Sequence, residues 1–303
     1  MRLLIIGGGG QLGSKLAELA KDRFEVYATY LTRRPPIGGD RALPLDKRDR
    51  DRVFALFGKL RPDVVIDTGA LHNVDYCETH RSEAWGVNVD GTRNLAEACE
   101  AYGAKMVFVS TDYVFDGAKG NYSEEEAPNP VNYYGLTKLE GERAVARACA
   151  RYAIARPSVI YGYVPPSQGP SSSGKPLNFA LWLIQKLENG EPVKIVTDQY
   201  SSPTLADSLA EALLRLAESE ETGVFHIAGK SRLNRYEFAL KIAEKLGLDA
   251  GLISPITTDQ LKQIAKRPMD SSLNVEKVEK RLGLKMLSID EALKRFEMGL
   301  RSQ

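Results

Sequence analysis

Tyr134 and Lys138 stand four residues apart in the segment Tyr134-Gly135-Leu136-Thr137-Lys138. On a helix, residues at i and i+4 share a face, with β-carbons about 6 Å apart. The chemistry open to such a pair is protonation of a carbonyl oxygen. A free phenol, with a pKa of roughly 10, is a poor proton donor at neutral pH. A neighbouring ammonium favours the phenolate, so Lys138 is expected to lower the Tyr134 pKa toward the working range. An exposed Tyr–Lys pair is also ordinary helix decoration. Its meaning depends on the elements that position it.

The first of those elements opens the chain. Leu3, Leu4, Ile5 and Ile6 form an apolar run that reads as a buried strand. Gly7, Gly8, Gly9, Gly10, Gln11, Leu12 and Gly13 follow, and then a helical pattern marked by Leu12, Leu16 and Leu19. Gly7, Gly10 and Gly13 fall three apart, a variant of the dinucleotide fingerprint. Gly7 is expected to make the tight turn, Gly10 to let a pyrophosphate approach the backbone, and Gly13 to allow close helix packing. The helix N-terminus, at Gln11 and Leu12, then offers N–H groups and a positive dipole end to phosphates.

Strands and helices alternate through the first half. Strands are expected at 25–29, 43–46, 64–67, 105–110 and 153–156, with helices at 50–59, 81–102 and 134–150. This is the pattern of a doubly wound parallel sheet of the Rossmann type, in an α/β fold. Ligands in such folds sit at the carboxyl ends of the strands, where the glycine turn, Ser110-Thr111 and the 67–71 turn should converge. The second half is less regular. Helices are expected at 178–188, 204–217, 236–246, 259–265, 275–282 and 289–296, with strands at 193–196 and 224–228. Ser288 and Glu291 have capping-box spacing for the last helix. The stretch 165–176, rich in Pro, Ser and Gly, reads as a flap beside the substrate.

Composition fits an ordinary enzyme. A chain of 303 residues that is 43% hydrophobic can bury one large core or two modest ones. A formal charge of +1 gives no support for nucleic-acid or membrane-surface binding. Cys77, Cys99 and Cys149 lack paired or metal-ligand spacing, which points to a reducing compartment. The chain enters a strand at once and holds no apolar run long enough to span a bilayer, so a cytoplasmic location is expected. A monomer or a homodimer fits equally.

Cofactor choice is read at the end of the second strand. An enzyme preferring NAD usually places Asp or Glu there for the ribose 2′-hydroxyl. This chain has Ala28, Thr29, Tyr30, Leu31, Thr32, Arg33 and Arg34 instead. With no carboxylate and two guanidinium groups, a 2′-phosphate is the better partner, and NADPH is the expected cofactor.

These residues together resemble the extended short-chain dehydrogenase/reductases and, within them, the dTDP-4-dehydrorhamnose reductase family. The marks are the glycine turn, then Ser110-Thr111-Asp112-Tyr113-Val114-Phe115-Asp116-Gly117, then Tyr134 with Lys138. Asp198-Gln199 with Ser202-Pro203-Thr204, and Arg267-Pro268 with Ser271-Ser272-Leu273, complete a series that runs over nearly the whole chain. The resemblance implies NADPH-linked reduction of the 4-keto group of a dTDP-6-deoxy-4-hexulose. It implies that 1–164 bind the cofactor, with 193–222 packing back onto them, and that 165–192 and 223–303 form a smaller substrate-binding region.

The same resemblance distributes roles. Thr111 hydrogen-bonds the carbonyl oxygen, Tyr134 donates the proton, and Lys138 tunes Tyr134 and holds the nicotinamide ribose. Ser110 is an immediate competitor of Thr111, and spacing alone does not choose between them. Asp46 is implied at the adenine edge, with Ala70 and Leu71 along the ribose and nicotinamide. Val74, Asp75, Tyr113, Asn178, Phe179, Gln199 and Arg267 are implied in recognition of the nucleotide-sugar substrate, with Arg267 set to pair with its diphosphate. Two departures stand out. Many relatives carry a tryptophan where this chain has Val159, and some bacterial relatives bind a metal through a carboxylate where this chain has Ser14-Lys15, so no metal is expected.

Other readings share parts of the pattern. The regulatory beta subunit of methionine adenosyltransferase has closely similar motifs at 112–117 and around Tyr134, and a nucleotide-binding regulatory role is the alternative. A dehydratase needs a second carboxylate directly after Asp112, where this chain has Tyr113. A 4-epimerase holds NAD permanently, against which the missing second-strand acid argues.

Overall fold

The apolar run at the start of the chain becomes strand β1 (Arg2–Ile6), with Leu3, Leu4 and Ile5 fully buried. Burial of both faces of such a strand requires helices above and below it, and the chain supplies them in turn. The computed structural model describes residues 1–163 and 178–301. The expected flap at 165–176 lies outside them.

After β1 come α1 (Gln11–Ala20), β2 (Glu25–Tyr30), β3 (Ala42–Pro44), α2 (Arg50–Leu60) and β4 (Val64–Asp67). One helical turn that periodicity did not reveal, α3 (Val74–Thr79), precedes α4 (Arg81–Trp85), which leads through a π-turn at Gly86–Asp90 into α5 (Gly91–Tyr102). The single long helix expected at 81–102 is therefore present but widened at its middle. β5 (Lys105–Val109), α6 (Tyr133–Ala148) and β6 (Tyr152–Arg156) complete the first half. Asn132 caps α6 by accepting the Gly135 N–H at 2.8 Å, which sets Tyr134 in the first turn.

The second half contains β7 (Ile160–Tyr161), α7 (Phe179–Glu188), β8 (Val193–Val196), β9 (Tyr200–Ser201), β10 (Thr204–Leu205), α8 (Ala206–Glu218) and β11 (Gly223–His226). Then follow β12 (Leu233–Asn234), α9 (Arg235–Leu246), β13 (Ile253–Ile256), α10 (Glu276–Leu282) and α11 (Ile289–Arg301). A parallel seven-stranded sheet runs in the order β11-β6-β5-β4-β1-β2-β3. Strand order reverses between β1 and β4, so a crevice opens over their carboxyl ends.

The second region has its own apolar core. Tyr161 meets Phe238 and Phe296 with ring centroids 5.0 and 5.5 Å away, beneath α7, α9 and α11. Its strands pair two by two: β7 with β10, β9 with β12, and β8 with β13. Assignments differ from the sequence expectation at three places. β11 belongs to the large sheet, paired with β6, although 223 onward was expected in the substrate region. β8 conversely pairs with β13, away from the large sheet, while α8 packs its buried Leu209, Leu213 and Leu216 into the same core as Leu12 and Leu16 of α1. The helix expected at 259–265 is only one 3₁₀ turn, Thr258–Gln260. Its backbone is drawn to other partners instead: Thr258 N–H donates to Asp198, and Ala265 N–H to Asp75.

Candidate active site

The glycine turn carries the steric demands its spacing implies. Gly7 has φ +79°, and a β-carbon there would lie 2.9 Å from the Gly69 backbone. A β-carbon on Gly13 would fall 2.4 Å from the Gly7 carbonyl oxygen. Gly10 is the N-cap of α1 and supplies no side-chain cap, so the first turn, with Gln11 and Leu12, faces the crevice with its helix dipole uncapped. Such a cradle fits a pyrophosphate. Asn178 Nδ2 donates to the Gly162 carbonyl at 2.7 Å and reaches Gln11 Oε1 at 3.4 Å, joining the first turn of α1 to the start of α7.

Arg33 and Arg34 follow β2 as expected but differ from one another. The Arg33 carbonyl lies so close to Gly9 that any β-carbon there would collide with it. Its buried Nε has no hydrogen-bond partner among the described residues, and burial holds its guanidinium below the ordinary range. An orphaned cationic donor beside the glycine turn fits a phosphate. Arg34 is exposed and donates to the Gly39 carbonyl. Asp46, expected at an adenine edge, holds Arg48 in a charge-assisted pair at 2.6 Å, and this contact keeps its carboxyl below the usual range.

The 67–71 turn meets the glycine turn, as the Gly7–Gly69 approach shows. Ala70 and Leu71 are half-buried along it. Leu71 is clamped from behind by Asn88, whose Oδ1 accepts the Leu71 N–H at 2.9 Å and whose Nδ2 donates to the Leu71 carbonyl and to Thr137 Oγ1 at 3.0 Å each. Asn88 is fully buried in the π-turn. It thus ties the crevice wall to the helix bearing Tyr134 and Lys138.

Tyr134 and Lys138 are both buried at the head of α6. Thr111, just past β5, presents its hydroxyl to the Tyr134 phenol. Ser110 is turned the other way: its hydroxyl donates to Glu142, which Arg156 holds in a buried ion pair at 2.6 Å. Position after the strand separates the two hydroxyls, since successive side chains point to opposite faces. The electrostatics correct one expectation. The net shift of Tyr134 is upward: burial dominates and pushes the phenol up, with the Thr111 hydroxyl the largest influence opposing it. Burial acts on Lys138 in the opposite sense, and together with the Lys47 charge pushes its ammonium down to about 7. Lys138 Nζ donates to the Val109 carbonyl at 2.8 Å and lies 4.0 Å from the centre of the Phe108 ring.

On the substrate side, Tyr113 stands edge-on to Tyr134 with ring centroids 6.1 Å apart, and Arg235 reaches its hydroxyl. Gln199 is buried and donates to Thr258 and Gln263 at 3.0 Å each. Phe179 stacks on Phe238 at 5.6 Å, at the edge of the second core. Val74 borders Tyr134 in a small apolar cluster with Cys77 and Tyr113. Arg267, expected to face a diphosphate, is instead buried and bidentate to Asp75 at 3.0 and 2.9 Å.

Three further residues here were given no site role by the sequence. Asp112 is buried and accepts from Ser271 at 2.6 Å, Ser158 at 2.7 Å and Thr111 at 3.1 Å. It therefore joins the ends of β5 and β6 to the 267–273 segment, and burial raises its carboxyl above the ordinary range. Val159 holds φ +42°, a strained value for a β-branched side chain, beside a small cavity shared with Tyr113, Gln199 and Arg235. Lys47 hides in the Leu45-Asp46-Lys47 stretch after β3, where a lone lysine normally reads as solvated.

The profile described as the RmlD substrate binding domain matches residues 1–301. The chain is 33% identical, over 97% of both sequences, to a protein named dTDP-4-dehydrorhamnose reductase from Aggregatibacter actinomycetemcomitans. A dTDP-4-dehydrorhamnose reductase from Bacillus anthracis, solved in complex with NADP, superimposes with a TM-score of 0.87 at 30% identity, covering 98% of each chain. The chain is also 29% identical, over 92% of its length and 84% of the relative's, to the zebrafish (Danio rerio) methionine adenosyltransferase 2 subunit beta.

Proposed function

The chain belongs to the RmlD substrate-binding-domain family, and from that premise we propose that it is an NADPH-dependent reductase of a dTDP-4-dehydro-6-deoxy sugar, a dTDP-4-dehydrorhamnose reductase. One observation carries the reading: a buried phenol, faced by a hydroxyl and followed one turn later by a buried lysine, at the edge of a glycine-lined crevice. In this reading the seven-stranded sheet holds the cofactor and the second region receives the sugar nucleotide.

Bound reduced nicotinamide supplies a hydride to the carbonyl carbon. The protein's task is to hold the ketone and to protonate its oxygen. Thr111 fixes the carbonyl oxygen next to the Tyr134 hydroxyl. Tyr134, kept protonated by burial, gives up its proton only as the carbonyl oxygen turns basic in the transition state. Lys138, charged below about pH 7, donates to the nicotinamide ribose and stabilises the phenolate left behind. Arg33 takes the 2′-phosphate, and the α1 N-terminus with Gly7, Gly10 and Gly13 takes the pyrophosphate. Tyr113, Asn178, Phe179 and Gln199 contact the sugar nucleotide, and Arg267 with Asp75 shapes the wall beside them. In this reading the reaction is a cytoplasmic one. No described helix is long and apolar enough to cross a membrane.

Incubation with NADPH and dTDP-4-keto-L-rhamnose tests the proposal. Loss of nicotinamide absorbance matched by deoxysugar product is expected, and a nucleotide that stays reduced would overturn it. The likeness to a methionine adenosyltransferase subunit favours a second reading, regulation of such an enzyme. Capture of a methionine adenosyltransferase by a protein inactive on the sugar nucleotide would replace the first reading with the second.

A further inference from the structure

Two lysines lie almost completely out of water at the carboxyl edge of the sheet: Lys47, 6% exposed, and Lys138, 1% exposed. A buried ammonium requires compensation, and the two receive it differently. Lys47 Nζ donates to Asp67 Oδ2 at 2.8 Å, the Gly69 carbonyl at 2.6 Å and Thr92 Oγ1 at 3.1 Å. Its three protons thus have three acceptors. Lys138 donates to one carbonyl, that of Val109, and faces the Phe108 ring. No carboxylate pairs with it among the described residues.

A carboxylate is nevertheless close. Phe108 of β5 is the register partner of Asp67 on β4, so the Asp67 side chain stands one strand away from the ring that carries the Lys138 ammonium. Asp67 is occupied on both oxygens, by Gly69 N–H at 3.0 Å on Oδ1 and by Lys47 on Oδ2. Passage of the Lys47 stem is itself built in. It crosses Gly91, where a β-carbon would lie 2.7 Å from Lys47 Cγ, and Asn94 fixes the Lys47 and Arg48 carbonyls at 3.1 Å each.

We infer that Lys47 is a positioning residue for Lys138, acting through Asp67: by satisfying that carboxylate it keeps Lys138 from being drawn into an ion pair and leaves its ammonium aimed at the crevice. Without Lys47, a buried carboxylate would keep its Gly69 and Thr92 donors but lose its counter-charge, and Lys138 is the other buried cation that its charge reaches. At low effective dielectric, that attraction outweighs a hydrogen bond to a backbone carbonyl. The charged groups acting on Lys138 are Lys47 after β3, Asp67 on β4 and Glu142 on its own helix, the last held by Arg156 of β6. Only the first two are changed in the test.

The inference concerns the geometry of Lys138 and rests on the functional reading only where it assigns that ammonium to the cofactor. Its test is the titration of Lys138 followed by NMR in protein labelled with 13C-lysine, without added nucleotide. Lys47→Met should raise the Lys138 midpoint by about one pH unit or more, because repulsion is lost and attraction to Asp67 is gained. Asp67→Asn should move it in the opposite direction. The double variant, with neither charge, should return toward the wild type. A midpoint unchanged in Lys47→Met, or a double variant identical to Lys47→Met, overturns the inference; a merely structural pair would lower stability without these opposed shifts. If Lys47→Met does not fold, Asp67→Asn decides alone, and an unmoved midpoint there is fatal. NADPH affinity, read by nucleotide fluorescence, is expected to fall about tenfold in Lys47→Met. Shifted titration with unchanged affinity would leave the coupling standing and remove Lys138 from the cofactor site.

Discussion

At the scale of single residues, burial sets the acid–base properties of the site more than contact between its charged members. Tyr134 and Lys138 are four apart on one helix, which alone suggests that the ammonium acidifies the phenol. Inside the protein both lose water, so the phenol rises and the ammonium falls. A phenol held protonated still carries the proton that the carbonyl oxygen takes as it turns basic, and its removal should be felt in the chemical step. Tyr134→Phe is expected to lower kcat by about 10²–10⁴-fold while NADPH binding, read by fluorescence quenching, is nearly kept. Equal losses in both would show that the ring serves cofactor binding rather than protonation. Ser110 and Thr111 make the complementary point. Both carry hydroxyls at the end of the same strand, and only the pleat decides which one meets the phenol.

At the scale of elements, the long, strongly periodic segments were legible and the short ones were not. Expected helices at 50–59, 134–150 and 289–296 match α2, α6 and α11 to within a few residues, and Ser288 and Glu291 form the cap their spacing implied. The helix at 259–265 failed because partners distant in sequence hold its two ends: Asp198 takes the Thr258 N–H, and Asp75 takes the Ala265 N–H that a helix would have bonded internally. The widening of the 81–102 helix at Gly86–Asp90 likewise has no periodicity signal, yet it places Asn88 at the crevice. A π-turn of this kind often marks a functional position. Asn88→Ala would leave the part-buried Leu71 N–H without its acceptor and the Leu71 carbonyl with only the weak Cys77 thiol as donor, a loss of about 1–3 kcal/mol in all. Chemical denaturation should show that loss, and KM for NADPH should rise as the Leu71 turn loosens. Stability unchanged from wild type would mean that water replaces the amide.

At the scale of the whole molecule, the two regions are held together by buried polar groups as well as by apolar contact. Asp112 links β5, β6 and the 267–273 segment, and Arg267 closes on Asp75. At the edge of the sheet, His226 of β11 is fully buried, makes a ring-nitrogen contact with the Tyr122 carbonyl at 3.0 Å, and faces the Arg156 guanidinium. Burial and that guanidinium push its imidazole from the ordinary 6.5 down to about 3. The unfolded chain therefore binds a proton near pH 6.5 that the folded protein refuses until about pH 3. Stability is lost as pH falls through that window, by a few kcal/mol in total. Urea unfolding between pH 7 and 4 should show this decline, and His226→Gln should flatten it even if its stability at pH 7 is lower. A slope identical in both proteins would place acid sensitivity elsewhere.

What the sequence determined by itself was the part governed by local rules. A strand, three spaced glycines and a helix can only make one kind of turn, and alternating strands and helices can only close into a parallel sheet. Tyr134 and Lys138 are likewise placed by helical spacing, and the absence of a second-strand acid is visible without coordinates. Tertiary structure alone decided which charges meet. Arg267 found Asp75, Lys47 found Asp67, and β11 crossed into the large sheet, because each pairing spans tens to well over a hundred residues of chain. Electrostatic partners are chosen by proximity in space and loss of water, and neither quantity is encoded in the spacing of residues along the chain.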